Sequence, residues 1–311
     1  NSLWREGSLL STIWGMEFSS DALFNPGEAT DFFAARKPGV EFRPGVRGFS
    51  YVNAWWLAEL CRLIYRRDAS EGVARGPGEA TRAELLERVG LRERFFFHEG
   101  DLCQGAVIEP AHGAWTALVF RGTHTPQNWL TNSNAILGAW PRGGQVHVGF
   151  RDALLGQWGR IELALQSARG PLFFTGHSLG GALATLAASL HPPHSTYTFG
   201  APRVGTSAFG KTLRQSALYR VVNNRDGVTS LPLPFPTLGF SHAGELRYFD
   251  REGCPQEAPS DLSVVVDRLT WEARSDPDGE VRSFTDLPKF MTDHSPVNYS
   301  SLLARHLPRQ G

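Results

Sequence analysis

Gly176-His177-Ser178-Leu179-Gly180 is a G-x-S-x-G pentapeptide. Before it runs Pro171-Leu172-Phe173-Phe174-Thr175, a short apolar run that reads as a buried strand. After it runs Gly181-Ala182-Leu183-Ala184-Thr185-Leu186-Ala187-Ala188, rich in the residues with the highest helix propensity. A strand, a tight turn and a helix make a nucleophile elbow, whose turn strains the Ser backbone and lifts its hydroxyl clear of the sheet. The glycines at 176, 180 and 181 leave room for strand and helix to approach. The pentapeptide alone is a common motif; its flanks make it specific.

The chain has 311 residues, 41% hydrophobic and 20% charged, enough to bury a full α/β core. Its 31 basic residues balance 31 acidic ones, and no basic face stands out, so nucleic acid is not an expected partner. Cys61, Cys103 and Cys254 are too few and too scattered for a disulfide framework or a zinc site, and read as buried or idle thiols. No apolar run is long enough for a transmembrane segment. The sequence begins at Asn1 rather than Met, so a removed signal peptide stays compatible with it, and the location reads as secreted or cytoplasmic.

Residues 1–48, punctuated by Gly and Pro and carrying Trp4, Trp14, Phe32 and Phe33, read as an N-terminal arm packed on the core. Helices are expected over Tyr51–Arg67 and Glu79–Val89, and strands over Arg94–Glu99, Gln104–Pro110 and Thr116–Arg121, with His112-Gly113 as the turn between the last two. Val146–Arg169 reads as a strand end followed by an amphipathic helix. Beyond the elbow come a strand at Thr196–Gly200, a helix at Thr206–Ser216 and a strand at Tyr219–Asn223. Alternating strands and helices predict an α/β class chain, a mostly parallel central sheet with helices on both faces. Residues 251–286 are polar and read as an excursion inside one domain spanning 1–311.

A Ser hydroxyl needs a base, and the base an orienter. On an elbow of this kind they follow the Ser in the order acid, then His, on loops beyond strand ends. Asp226 fits the acid: Asn224-Arg225-Asp226-Gly227 leaves the expected strand Tyr219–Asn223 at its carboxyl end. Asp250, Asp261, Asp267, Asp276, Asp278 and Asp286 lie mostly in the polar excursion and read as solvated charges. For the base, His191 and His194 fall at the far end of the elbow helix, and His306 in a terminal helix tail. His242 begins a strand and reads as structural. His294, in Thr292-Asp293-His294-Ser295-Pro296 before a final helix (Val297–Arg305), is favoured.

Several blocks then carry a resemblance: Val119-Phe120-Arg121-Gly122-Thr123, Val146-His147-Val148-Gly149-Phe150, Thr175 through Ala184, Phe199-Gly200-Ala201-Pro202-Arg203-Val204-Gly205, and Asp293-His294 with Tyr299. In this order, from about Trp115 to Tyr299, the chain resembles the class 3 lipases, which include fungal triacylglycerol lipases, plant phospholipases and some feruloyl esterases. The resemblance implies an α/β-hydrolase fold, no metal or other cofactor, and Ser178, Asp226 and His294 as a catalytic triad. It gives Thr123 and Leu179 an oxyanion-hole role, with backbone N–H groups aimed at the developing charge. It also casts 124–137 as a lid whose Trp129, Leu130 and Ile136 form an apolar edge able to touch a lipid surface transiently; a fixed packed helix is the competing reading. The stretch Leu231–Phe240 reads as an acyl-pocket lining or a rigid loop. The chain departs from the fungal pattern in lacking a disulfide-rich framework and in carrying the arm and the excursion.

The expected function is that of a serine hydrolase cleaving carboxylic esters of lipids, as a triacylglycerol lipase does, with a lipid ester as partner. Alternatives are a phospholipase A-type hydrolase of membrane lipids and, from another class, a non-catalytic binding protein on the same scaffold.

Overall fold

The computed structural model describes residues 27–67, 79–99, 103–122, 136–214, 216–232, 239–257, 259–260, 262–268 and 292–309. Ser50 accepts the Asn53 N–H and opens α1 (Tyr51–Leu63), almost all of which is buried. Thr81 opens α2 (Arg82–Glu87) through a capping box with Glu84. There follow β1 (Leu91–Glu99), β2 (Cys103–Pro110), β3 (Thr116–Phe120), β4 (Leu137–Ala139), β5 (Gln145–His147), α3 (Val148–Leu165), β6 (Leu172–His177), α4 (Leu179–Leu190), β7 (Ser195–Phe199), β8 (Gly205–Thr206), α5 (Ser207–Thr212) and β9 (Leu218–Asn223). The chain continues through β10 (Phe240–Ser241), β11 (Glu245–Phe249), β12 (Pro255–Glu257), α6 over 262–268, and α7 (Pro296–Ala304).

Eight strands form the main sheet in the order β1-β2-β3-β6-β7-β9-β11-β12. The run from β3 to β11 is parallel; β1 and β2 at one edge and β12 at the other are antiparallel. Successive residues of a strand point to opposite faces, and the core divides accordingly. Ala117, Val119, Phe173, Tyr197, Phe199 and Val221 face the layer built by α1 and α7. Leu118, Phe120 and Phe174 face α3 and α4, meeting Leu154, Ile161, Leu183 and Leu186. Helices therefore cover both faces of a mixed, mostly parallel sheet, and this α/β arrangement places the loops after β6, β7 and β9 along one edge.

The arm joins the first of these layers. Phe32, Phe33 and Val40 are buried, and the Phe33 N–H donates to Glu59 Oε2 at 2.7 Å. Trp4 and Trp14 lie outside the described residues.

Three local readings change. The helix expected over Thr206–Ser216 is only Ser207–Thr212, because Thr206 is its N-cap and Gly205–Thr206 pairs with β5 and β10. That pairing completes a small antiparallel sheet in the order β10-β8-β5-β4, whose strands of two or three residues are too short to show a period of two. Within 251–286, Pro255–Glu257 extends the main sheet as an edge strand, a place where a proline costs no ladder bond.

Candidate active site

β6 ends at His177, and Ser178 turns the chain into α4 with φ 59° and ψ −128°, a positive φ rare for a residue with a side chain. The turn is held by Ser178 N–H donating to the Phe199 carbonyl at 2.9 Å, across to β7. It closes because residue 176 has no side chain: a Cβ there would stand 2.2 Å from the Gly180 backbone.

Asp226 lies three residues beyond β9. Its own N–H donates to the Asn223 carbonyl at 2.8 Å, and its Oδ1 accepts the Val228 N–H at 3.0 Å, starting a 3-10 turn over Gly227–Ser230. His294 is in the tight turn before α7, where the Ser295 N–H donates to the Thr292 carbonyl, and Pro296 takes the first helical position, which needs no N–H.

These segments meet. His294 Nδ1 is 2.9 Å from both Asp226 Oδ1 and Oδ2, and His294 Nε2 is 2.9 Å from Ser178 Oγ. Carboxylate oxygens only accept, so Nδ1 carries the proton and Nε2 presents a lone pair to the serine hydroxyl. Ser178 and Asp226 are fully buried and His294 is 1% exposed, so these bonds lie in a low-dielectric setting that strengthens them.

Leu179 is the first residue of α4, and its N–H is one of the donors that a helix start leaves without an intrahelical carbonyl. Thr123 lies outside the described residues; Gly122 before it abuts Ser178, since a Cβ on it would stand 3.1 Å from Ser178 Cβ. Of the lid candidates, Trp129 and Leu130 also lie outside the described residues, as do 124–135 and 233–238 generally. Ile136 is 57% exposed and directly precedes β4, an edge strand rather than the end of a helix.

Three of the four other histidines that follow Ser178 have ring partners elsewhere. His242 Nε2 is 2.9 Å from the Thr229 carbonyl, His194 Nε2 is 2.9 Å from that of Val46, and His306 Nε2 is 3.0 Å from that of Gly253. Asp267, a rejected acid, accepts from Asn224 and Tyr248 instead.

Two supporting groups were not given roles by the sequence. The Tyr299 hydroxyl donates to Asp226 Oδ2 at 2.6 Å while accepting the Asn223 N–H at 3.1 Å. Asp293 Oδ2 accepts the Arg225 N–H, and its carbonyl accepts from the Asn223 side chain, which ties the His294 loop to the Asp226 loop. The signal for both was their spacing of one and five residues from His294.

Among the described residues, no group of three or more His, Cys, Asp and Glu is arranged to hold a metal ion, and no helix is long and apolar enough to cross a membrane. Cys61, Cys103 and Cys254 form no disulfide; Cys61 and Cys103 are buried, and burial pushes the Cys61 thiol up to about 12.

An open α/β sheet with a nucleophile elbow at its edge is the frame of the α/β-hydrolases. Residues 117–235 match the family model described as Lipase (class 3), so over this stretch the chain is similar to the class 3 lipases. It is 36% identical over 143 residues to secreted mono- and diacylglycerol lipase 1 of Fusarium solani, covering 42% of each chain. It is 31% identical over 212 residues to lipase ZK262.3 of Caenorhabditis elegans, covering 62% of this chain and 58% of that one. It is 34% identical over 172 residues to a lipase of Rhizomucor miehei, covering 47% and 46%. The chain thus spans about half the length of these curated relatives. In fold it matches a mutant form of MDLA from Penicillium cyclopium, with a TM-score of 0.56 and 20% identity over 79% of this chain and 95% of that one. Lipase II from Rhizopus niveus follows with a TM-score of 0.54 and 22% identity, over 69% and 91%.

Proposed function

We propose that the chain is a serine carboxylic-ester hydrolase acting on lipid esters, with Ser178 as nucleophile, His294 as base and Asp226 as its orienter. The observation that supports it is His294 bridging Ser178 Oγ and Asp226 at 2.9 Å on each side. Ser178 Oγ attacks the ester carbonyl carbon as His294 Nε2 takes its proton, and Asp226 stabilises the imidazolium that forms. The carbonyl oxygen becomes an anion facing the Leu179 N–H at the helix start, with Thr123 as the second donor. Collapse expels the alkoxide, which receives the proton from His294 and leaves Ser178 acylated. Water, deprotonated by His294, then attacks the acyl carbon; the second collapse releases the acid and returns the proton to Ser178.

The lipid ester as substrate is supported by the three relatives named above, each called a lipase. A fluorophosphonate probe with wild type and Ser178→Ala tests the chemistry: wild type is labelled and the variant is not. Labelling of Ser178→Ala at the wild-type rate refutes the assignment, and absence of labelling in folded wild type supports the binding-protein alternative. A panel of p-nitrophenyl esters, a triglyceride emulsion and phospholipid vesicles then separates lipase from phospholipase action.

A further inference from the structure

His177 precedes the nucleophile, and its own side chain is 1% exposed. Its Nε2 lies 2.6 Å from the backbone carbonyl of His294, and its Nδ1 lies 2.9 Å from the hydroxyl of Tyr65. A carbonyl oxygen only accepts, so Nε2 carries the proton and Nδ1 is the acceptor. The Tyr65 hydroxyl therefore donates to Nδ1, and Gly122 packs against its oxygen. One directed chain results: Tyr65 O–H to His177, His177 N–H to the His294 carbonyl.

This chain links three separate segments, with a fourth packed against it. Tyr65 comes from the turn after α1, His177 from the end of β6 and His294 from the turn before α7, while Gly122 follows the end of β3. The fit at Gly122 is tight, because a Cβ there would stand 2.1 Å from Tyr65 Oη and 2.8 Å from the His177 carbonyl. The His294 ring is held at Nδ1 by Asp226 and its backbone at the carbonyl by His177, so both ends of the base are fixed relative to Ser178. The His177 and His294 rings lie 4.6 Å apart at 37°. A His177 ring that stays neutral is required there, since His294 becomes a cation during turnover. Burial first, and then the His294 ring, push the His177 pKa well below 6.5.

We propose that Tyr65 and His177 are a positioning pair that sets the His294 backbone and Gly122 in register with the Ser178 hydroxyl. The inference rests on Ser178, Asp226 and His294 being the reacting groups. Neither residue touches an ester in this scheme; both act through the groups they hold. A displacement of the base by ~1 Å costs on the order of 100-fold in rate, whereas ground-state binding of the ester is unaffected.

The test measures kcat and KM separately on a soluble p-nitrophenyl ester, with thermal midpoints, for Tyr65→Phe, His177→Leu, His177→Gln and Ser178→Ala. Tyr65→Phe removes one oxygen and should lower kcat about 3- to 30-fold with KM within about twofold. His177→Leu should lower kcat about 10- to 100-fold, and His177→Gln, whose amide N–H reaches the same carbonyl, should recover most of that loss. Wild-type kcat in both Tyr65→Phe and His177→Leu, with hydrolysis lost in Ser178→Ala, overturns the pair and leaves the triad standing. Equal losses in His177→Leu and His177→Gln that track a lowered thermal midpoint also overturn it, since the role would then be packing. Retained hydrolysis in Ser178→Ala overturns the triad reading and the pair with it. If His177→Leu does not fold, Tyr65→Phe alone decides: a lowered kcat at unchanged KM supports the pair and an unchanged kcat overturns it.

Discussion

Gly200 stands against the carboxylate of Asp226 so closely that a Cβ at 200 would lie 2.5 Å from Asp226 Oδ2. The same Cβ would be 3.0 Å from His294 Nδ1, and residue 200 has φ +60°, in the left-handed region. Gly200→Ala therefore forces a methyl group into the hydrogen bond between Asp226 and His294. The expected outcome is a kcat loss of about 10- to 100-fold, from a displaced imidazole, in a protein whose far-UV circular dichroism is unchanged. Wild-type kcat in a folded Gly200→Ala would show that the carboxylate has room the geometry denies it.

Asp226 also accepts from Tyr299, whose hydroxyl is buried between it and the Asn223 N–H. Tyr299→Phe removes a donor to a buried carboxylate and leaves the Asn223 N–H without that oxygen. Denaturant unfolding should show a loss of about 1.5–3 kcal/mol, the range for a hydrogen bond to a charged group. A loss under about 0.5 kcal/mol would place the bond among those of no net value.

Glu59 is buried under the arm, with side-chain exposures of 3% for it and 5% for its ion-pair partner Arg62 at 3.0 Å. Its carboxylate also accepts from the Phe33 N–H and from Ser300 on α7, so one charge joins the arm, α1 and α7. Burial pushes its pKa up, against Arg62, Ser300 and Phe33, which pull it down. Glu59→Leu leaves the guanidinium uncompensated and should cost about 3–5 kcal/mol in denaturant unfolding. The double variant Glu59→Leu/Arg62→Met should recover more than half of that, since an apolar pair of similar volume replaces a buried ion pair at little cost. Additive losses in the double variant would mean that the two charges do not act on each other.

Three histidines, His177 fully buried and His147 and His242 half-buried, have pKa values lowered by burial, and His177 and His242 are lowered furthest. Burial and His294 lower the pKa of His177; burial and the arginines at 220, 203 and 268 lower that of His242. Both folded-state pKa values lie below the unfolded value of 6.5, so the unfolded chain binds more protons as pH falls. The stabilisation is fully present above 6.5 and is lost as pH drops below it. Thermal midpoints measured from pH 7.5 downwards should fall, and His242→Gln should flatten the slope just below 6.5. An unchanged slope in that variant would remove His242 as a contributor.

Much of the candidate site was legible along the chain, because its parts are local signals. Ser178 is announced by the strand and helix that flank it, and Asp226 by its place beyond a strand end. His294 is announced by the helix start behind it. Each of those readings needs only the neighbouring five to ten residues. The supporting groups are different in kind. Tyr65 lies 112 residues from His177, and nothing near it distinguishes it from other buried aromatic residues. Glu59 reads as one more polar residue in an apolar helix until Ser300, 241 residues away, closes on it.

The small sheet was illegible for another reason. β8 has two residues and exists because β5 and β10 offer it backbone partners, not because its own side chains alternate. The same holds for the edge strand Pro255–Glu257, whose composition is that of a loop and whose pairing is supplied by β11.

The sequence by itself determined the alternation of strands and helices, the elbow at 176–180 and the order in which Ser178, Asp226 and His294 follow one another. These are consequences of local propensity and short-range sterics, which act within a few residues. Only the tertiary structure decided that His294 Nε2 reaches Ser178 Oγ while His242 turns to Thr229, and that the Asp226 carboxylate shares its oxygens between His294 and Tyr299. Those choices depend on which buried donors find acceptors once the sheet has closed, and the penalty for an unpaired buried group couples residues that are far apart in the chain.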